Sequence, residues 1–293
     1  MVEITAQMVK QLRDKTNVGM MDCKTALIEA EGDMEKSVDI LRKKGKAIAA
    51  KRSGKATNEG LIASKISSDN KSGVLVEVNS ETDFVARNEI FRFFVKDIAE
   101  HLELNNPGDT SELFSQKFTK NPSITVQDAL SEVIAKIGEN IQIRRFEKLT
   151  ADEKGAISEY IHMGGKIGVL IKISLEKPES GAKGEVQELM KDLCMQVAAS
   201  SPTYIQETDI PSSVLEKEKE IQKAQIKGKP EHIIDKIVEG KMKKFYSEVC
   251  LIHQPYVKEP KMAIKDYVAD ISKKVGDNIQ ISCFVRFVLG EEV

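Results

Sequence analysis

Apolar positions early in the chain recur at helical spacing. Met8, Val9 and Leu12 share one helical face, and Gly19 interrupts the pattern. Asp22 suits the N-cap of a second helix carrying Ala26, Leu27 and Ala30. Gly32-Asp33 marks the next break, with Asp33 placed to cap a third helix through Met34, Val38 and Leu41. Three short helices in residues 1–55 predict a small bundle with a thin core. Beyond it, β-branched runs follow glycine at Val74-Leu75-Val76 and Val169-Leu170-Ile171, the pattern of buried strands.

Those two runs belong to an internal repeat. Residues 60–78 align with 155–173 at a constant offset of 95, with seven of nineteen pairs identical. The offset persists at Lys96-Asp97 and Lys191-Asp192. Residues 138–146 (GENIQIRRF) match 276–284 (GDNIQISCF) at six of nine positions and an offset of 138. The second copy therefore holds 43 extra residues between its helix and its last strand. Each copy predicts strands (Gly60–Ser67, Gly73–Val78 and Asn140–Phe146 in the first), helices, and two related α+β halves. Within the insertion, residues 212–227 and 231–249 read as helices meeting at Gly228-Lys229-Pro230. Such a hairpin has arms of roughly 25–30 Å. It either projects as an oligomer or partner contact or folds back as packing.

Composition narrows the function classes. With 41% hydrophobic residues and only 18 Gly and 8 Pro in 293 residues, the chain is neither disordered nor collagen-like. The formal charge of −2 argues against a bulk nucleic-acid binder. Seven basic residues between Leu41 and Lys55 (Arg42, Lys43, Lys44, Lys46, Lys51, Arg52, Lys55) read as a solvated helix tail and linker or as a patch for an acidic partner. No apolar run spans a bilayer, the start lacks a signal-peptide layout, and the four cysteines are widely spaced, so a reduced cytoplasmic protein is expected.

Catalytic motifs are missing. No phosphate-binding glycine motif and no H-E-x-x-H occurs, and His and Cys show no metal-ligand spacing. Gly164-Gly165-Lys166 between two strands reads as a turn. One cluster stands apart: Asn79-Ser80-Glu81-Thr82-Asp83-Phe84-Val85-Ala86-Arg87-Asn88, directly after a strand. Ser80-x-x-Asp83 resembles a capping box, so a helix should begin near Thr82 and carry Phe91, Val95, Ile98 and Leu102 on one face. Pattern favours Phe84 as a core anchor; the alternative is an exposed wedge on a rigid junction.

Five segments, in order, resemble the bacterial elongation factor Ts family. They are Ile4-Thr5-Ala6 through Leu12-Arg13 to Gly19-Met20-Met21-Asp22-Cys23-Lys24, then Asn79 to Arg87, Ile137-Gly138-Glu139-Asn140-Ile141, Ile167-Gly168-Val169-Leu170 and Gly240-Lys241-Met242-Lys243-Lys244-Phe245. The resemblance implies an α+β fold: a three-helix ubiquitin-associated-like domain with basic linker (1–55), core halves at 56–150 and at 151–204 with 258–293, and an inserted antiparallel coiled-coil hairpin (205–257).

It also implies a function without covalent chemistry, cofactor or metal. The family exchanges guanine nucleotide on elongation factor Tu, binding its GDP-bound and nucleotide-free forms. By position, Thr82, Asp83, Phe84 and Val85 resemble the segment that dislodges Mg²⁺ from Tu, with Phe84 as a wedge. His162, followed by Met163, Gly164 and Gly165, sits where the family presses a histidine on Tu's phosphate-loop side. Arg13, Asn17, Val18, Gly19, Met20 and Met21 resemble the docking segment of the small domain. Some relatives dimerise through core or hairpin, and no membrane or direct nucleic-acid contact is implied. Asn17-Val18 and Met163-Gly164-Gly165 depart from common family patterns, and some relatives extend into a C-terminal helix beyond the position of Val293, which implies a smaller interface here. Outside the resemblance, the chain could be a scaffold, an RNA-associated translation accessory, or an enzyme with a dispersed site.

Overall fold

The computed structural model describes residues 3–16, 18–226 and 231–292, without the side chains of Glu231, His232, Ile233 and Asp235. Asn17 and the Gly228-Lys229-Pro230 turn lie outside the described residues. The chain opens with α1 (Ala6–Thr16), α2 (Met20–Glu29) and α3 (Met34–Arg52). Leu12, Cys23, Ala26, Leu27 and Leu41 form one core, with Met8, Val9, Met34 and Val38 packed against it. Asp33 caps α3, accepting from the N–H groups of Glu35 and Lys36 at 3.0 Å each.

One expectation changes here. Asp22 does not cap α2; the N-cap is Gly19, and Asp22 sits in the first turn, ion-paired with Lys44 at 2.5 Å. An acid there still complements the helix dipole. The helix α3 continues through the basic stretch to Arg52, in keeping with the reading of that stretch as a helix tail, since Ala47, Ile48, Ala49 and Ala50 sustain helix.

There follow β1 (Glu59–Ile66), β2 (Ser72–Ser80), α4 (Asp83–Arg87), α5 (Glu89–Leu104), α6 (Thr110–Ser115), β3 (Lys117–Phe118), β4 (Asn121–Thr125), α7 (Val126–Ile137) and β5 (Ile141–Thr150). The second series is β6 (Gly155–His162), β7 (Ile167–Ser174), α8 (Gly184–Ser200), α9 (Ser212–Ala224), α10 (Glu231–Val249), β8 (Pro255–Tyr256), β9 (Glu259–Ala263), α11 (Ile264–Val275) and β10 (Gln280–Val288). The fold is thus mixed helix and sheet. One three-stranded sheet runs β1-β2-β5 and another β10-β7-β6, with β6 and β7 antiparallel from Gly155 opposite Ser174 to His162 opposite Ile167. The two-stranded pairs β3–β4 and β8–β9 escaped sequence reading because β3 and β8, at two residues each, carry no periodicity.

Two compact units result. One comprises Met1–Ala63, Val76–Phe146 and Val288–Val293; the other comprises Ser64–Leu75 and Glu147–Phe287. In the first, α3 packs on α7 closely enough that a Cβ on Gly45 would meet Ala135 Cβ and Ser131 O at 3.6 Å. Ion pairs tie the same helix down: Lys46 to Asp128 at 2.7 Å, Arg52 to Glu81 at 3.5 Å and Arg42 to Glu132 at 4.0 Å. In the second, Val169, Ile171 and Ile173 of β7 pack with Leu189, Met190, Leu193 and Val197 of α8. Helices α9 and α10 contact each other; α9 buries no residue, while Val238 and Met242 of α10 are buried.

Candidate functional site

Nucleophilic chemistry finds no support in the thiols. Burial pushes up the thiols of Cys23, Cys194, Cys250 and Cys283, that of Cys250 to about 11. Among the described residues no cluster of His, Cys, Asp and Glu side chains could hold a metal ion, and no helix is long and apolar enough to cross a membrane. Four of the seven basic residues after Leu41 are engaged with acids as described above.

What the molecule offers instead is exposed apolar side chains on rigid turns. Phe84 is 78% exposed, so it is not a core anchor. The capping pattern places it. Thr82 is the N-cap of α4, its Oγ1 accepting from the Val85 N–H at 3.4 Å. Ser80 does not take that role; its hydroxyl is buried and donates to the Thr82 carbonyl at 3.0 Å. Val85 and Ala86 are buried, which leaves Phe84 facing out between them and the cap. Asp83 accepts from Arg87 at 3.0 Å across one turn. The expected single helix is two, broken at Asn88, whose side chain caps α5 by accepting from the Ile90 N–H at 2.8 Å. Phe91, Val95, Ile98 and Leu102 are buried on α5 as the spacing predicts.

The Thr82 backbone N–H precedes the helix and needs an acceptor of its own. Glu139 supplies it at 3.0 Å through Oε2, while Glu139 Oε1 accepts from the Thr82 hydroxyl at 2.9 Å. Sequence reading singled out residues 138–146 as a repeated segment and 137–141 as resembling the family but assigned Glu139 no role.

In the same unit, the start of α2 exposes Met20 and Met21, the latter by 73%. Arg13 is exposed in the last turn of α1, and Val18 packs partly against the helical core. Val18 and Gly19 line a cavity of about 290 Å³ together with Lys44, Ile48 and Ile90. That cavity joins the start of α2 to the start of α5, six residues after Phe84.

The second unit contributes the β6–β7 turn. Met163, Gly164 and Gly165 have φ of 49°, 65° and 104°, so three successive residues are left-handed, a conformation that suits glycine and leaves Met163 71% exposed. His162 is exposed; its ring stacks on Tyr160 with centroids 5.7 Å apart and its Nδ1 lies 2.9 Å from the Tyr160 hydroxyl. Residues at i and i+2 share a strand face, which brings these rings together.

Comparison with known proteins bears on these segments. The family model described as Elongation factor TS matches residues 81–291. The chain belongs to the elongation factor Ts family. It is 49% identical to the elongation factor Ts of Clostridium novyi over 98% of this chain and 93% of that protein. It is 49% identical to that of Clostridium kluyveri over 99% and 94%, and 46% identical to that of Trichlorobacter lovleyi over 98% and 93%. The family is one of translation elongation factors, so the exposed turns lie in a protein of polypeptide synthesis.

Proposed function

We propose that this chain is a guanine-nucleotide exchange factor, without covalent chemistry, that binds GDP-bound elongation factor Tu and promotes GDP release. The observation that carries the reading is Phe84, an aromatic side chain held in solvent on a capped, buried-backed turn. An exposed aromatic on a rigid turn is the kind of side chain that anchors a protein interface. In this reading Phe84, with Thr82, Asp83 and Val85, displaces elements of Tu that hold Mg²⁺. His162 and the turn Met163-Gly164-Gly165 press near the phosphate site, and Arg13 with Val18 to Met21 docks the helical bundle.

Linkage sets the energetics. A factor that weakens GDP on Tu binds GDP-loaded Tu more weakly than empty Tu by the same ratio. Mg²⁺ demands near-ideal octahedral geometry, so a small shift of its ligands costs GDP affinity steeply. The nucleotide-free complex is therefore the tight one. The ion pairs of the basic stretch support a structural role for it over nucleic-acid binding. Exposed Val214 and Ile221 on α9 support self-association through the hairpin, which light scattering would read.

The test is the release rate of fluorescent GDP from Tu with and without this protein. A large, saturable acceleration is expected; none, with both proteins folded, defeats the reading. Phe84→Ala is expected to cut the saturating rate roughly tenfold or more, the scale of losing an aromatic anchor, while changing half-saturation less.

A further inference from the structure

The N-cap of the helix that carries Phe84 is itself held from outside the helix. In a capping box the third helical residue reaches back to the N-cap N–H. That residue here is Val85, which has no acceptor. Glu139 does the task from another turn, accepting from both the N–H and the hydroxyl of Thr82. The bond is returned: Glu81 Oε1 accepts from the Asn140 N–H at 2.6 Å. Two turns thus exchange carboxylate-to-backbone bonds, each charge-assisted. Gly138, left-handed at φ 81°, ends α7 and sends Glu139 toward Thr82. Further bonds brace the pair. Arg52 lies 3.5 Å from Glu81, and the Asn140 amide donates to the Lys55 carbonyl at 2.8 Å.

The second repeat shows the same device with a different passenger. Gly276 at φ 69° ends α11, and Asp277 follows in the place of Glu139. Asp277 accepts from the N–H groups of Glu176 and Lys177 at 3.0 and 3.2 Å, the positions matching Glu81 and Thr82. The Asn278 side-chain amide donates to Glu176 at 3.2 Å, where in the first repeat the Asn140 backbone N–H donates to Glu81. The turn so held, Pro178–Ala182, exposes Glu179 where the first repeat exposes Phe84. The clasp is therefore scaffold, and what it presents differs.

We infer that Glu139 is a positioning residue for exchange, acting through Thr82 to hold Phe84 at the angle that displaces its target. This rests on the exchange-factor reading above. Loss of the clasp frees the α4 turn and lowers the fraction of molecules with Phe84 correctly aimed, by about threefold to tenfold for one or two hydrogen bonds. The saturating rate falls by that factor, and the half-saturating concentration changes less.

The experiment is a double-mutant cycle on fluorescent GDP release from Tu, using the full chain, with Glu139→Ala, Phe84→Ala and the pair. Glu139→Ala should slow the saturating rate, yet add nothing in the Phe84→Ala background. General damage to the fold would slow both backgrounds alike and overturn the inference, as would wild-type rates for Glu139→Ala. Glu139→Gln retains one acceptor oxygen and should recover part of the rate. If Glu139→Ala does not fold, Glu139→Gln is carried through the same cycle with the same criterion. Wild-type protein without any acceleration would defeat the exchange-factor reading itself, a separate result.

Discussion

The turn at 80–84 and the turn at 175–179 have the same construction and opposite surfaces. Each follows a buried strand, each is pinned by an acid after a left-handed glycine, and one presents an aromatic where the other presents a carboxylate. The lesson is that a repeat conserves what holds a turn, because backbone N–H groups need partners in either copy. The side chain pointing to water is free to diverge. Elsewhere the copies diverge inside as well. Glu77, buried in β2, takes Arg145 at 2.7 Å, Arg144 at 3.3 Å and the Gly290 N–H at 2.9 Å; the matching positions hold Lys172, Cys283 and Ser282. One unit has a buried charge hub and the other has none in that place.

Breaking that hub should have the largest effect. Glu77→Ala leaves two arginines without their shared acceptor and is expected to cost about 3–5 kcal/mol, read by denaturant unfolding, whereas Lys172→Ala should cost under about 1 kcal/mol. An exchange of the two passengers comes next. Phe84→Glu should lower GDP release from Tu by roughly tenfold or more, and Glu179→Phe should leave it near wild type. Equal effects from both would show that the turns do not divide the labour.

A smaller comparison lies in helix capping. Thr125 and Asp128 form a capping box on α7, while α11 begins at Ala263 with no side-chain cap although Asp266 stands ready in its first turn. The backbone at the two caps is alike, with φ of −86° and −83°. Ala263→Thr should therefore stabilise the protein by about 0.5–1 kcal/mol, and Thr125→Ala should destabilise it by about 1 kcal/mol. Thermal unfolding measures both.

The smallest expected effect is a pH dependence. Buried His101 has Nε2 3.0 Å from Gln116 Oε1 and Nδ1 2.7 Å from the Thr119 hydroxyl. An oxygen that only accepts requires N–H at Nε2, so Nδ1 is the acceptor. Gln196 in the second copy reproduces the pattern with an amide, donating to Gln254 and accepting from the Val257 N–H. Burial lowers the His101 pKa from its ordinary 6.5, against a smaller opposing effect of Gln116. The unfolded chain then binds the proton more readily, so His101 contributes its full stability above about 6.5 and loses it as pH falls below that value. His101→Gln should flatten the acid side of the stability profile. An unchanged slope would show that other groups set it.

Much of this was legible in the sequence. Helical faces and the strands of each repeat follow from period, since burial imposes it on any chain that forms these elements. Asp33 as a cap was readable because its acceptor and the N–H groups it serves are neighbours in sequence. Thr82 was misread beside Ser80 because its partner Glu139 is distant, and pattern alone favoured a buried Phe84, where the family resemblance implied a wedge, because apolar character does not reveal which way a residue faces at a helix start.

The sequence by itself determined the α+β class, the repeated halves' element order and membership of the elongation factor Ts family, all properties of local pattern. Tertiary structure alone decided that Glu139 holds the turn of Phe84 and that four of the seven basic residues after Leu41 are held in ion pairs. Each depends on groups far apart along the chain, and their meeting is set by packing, to which no local spacing gives access.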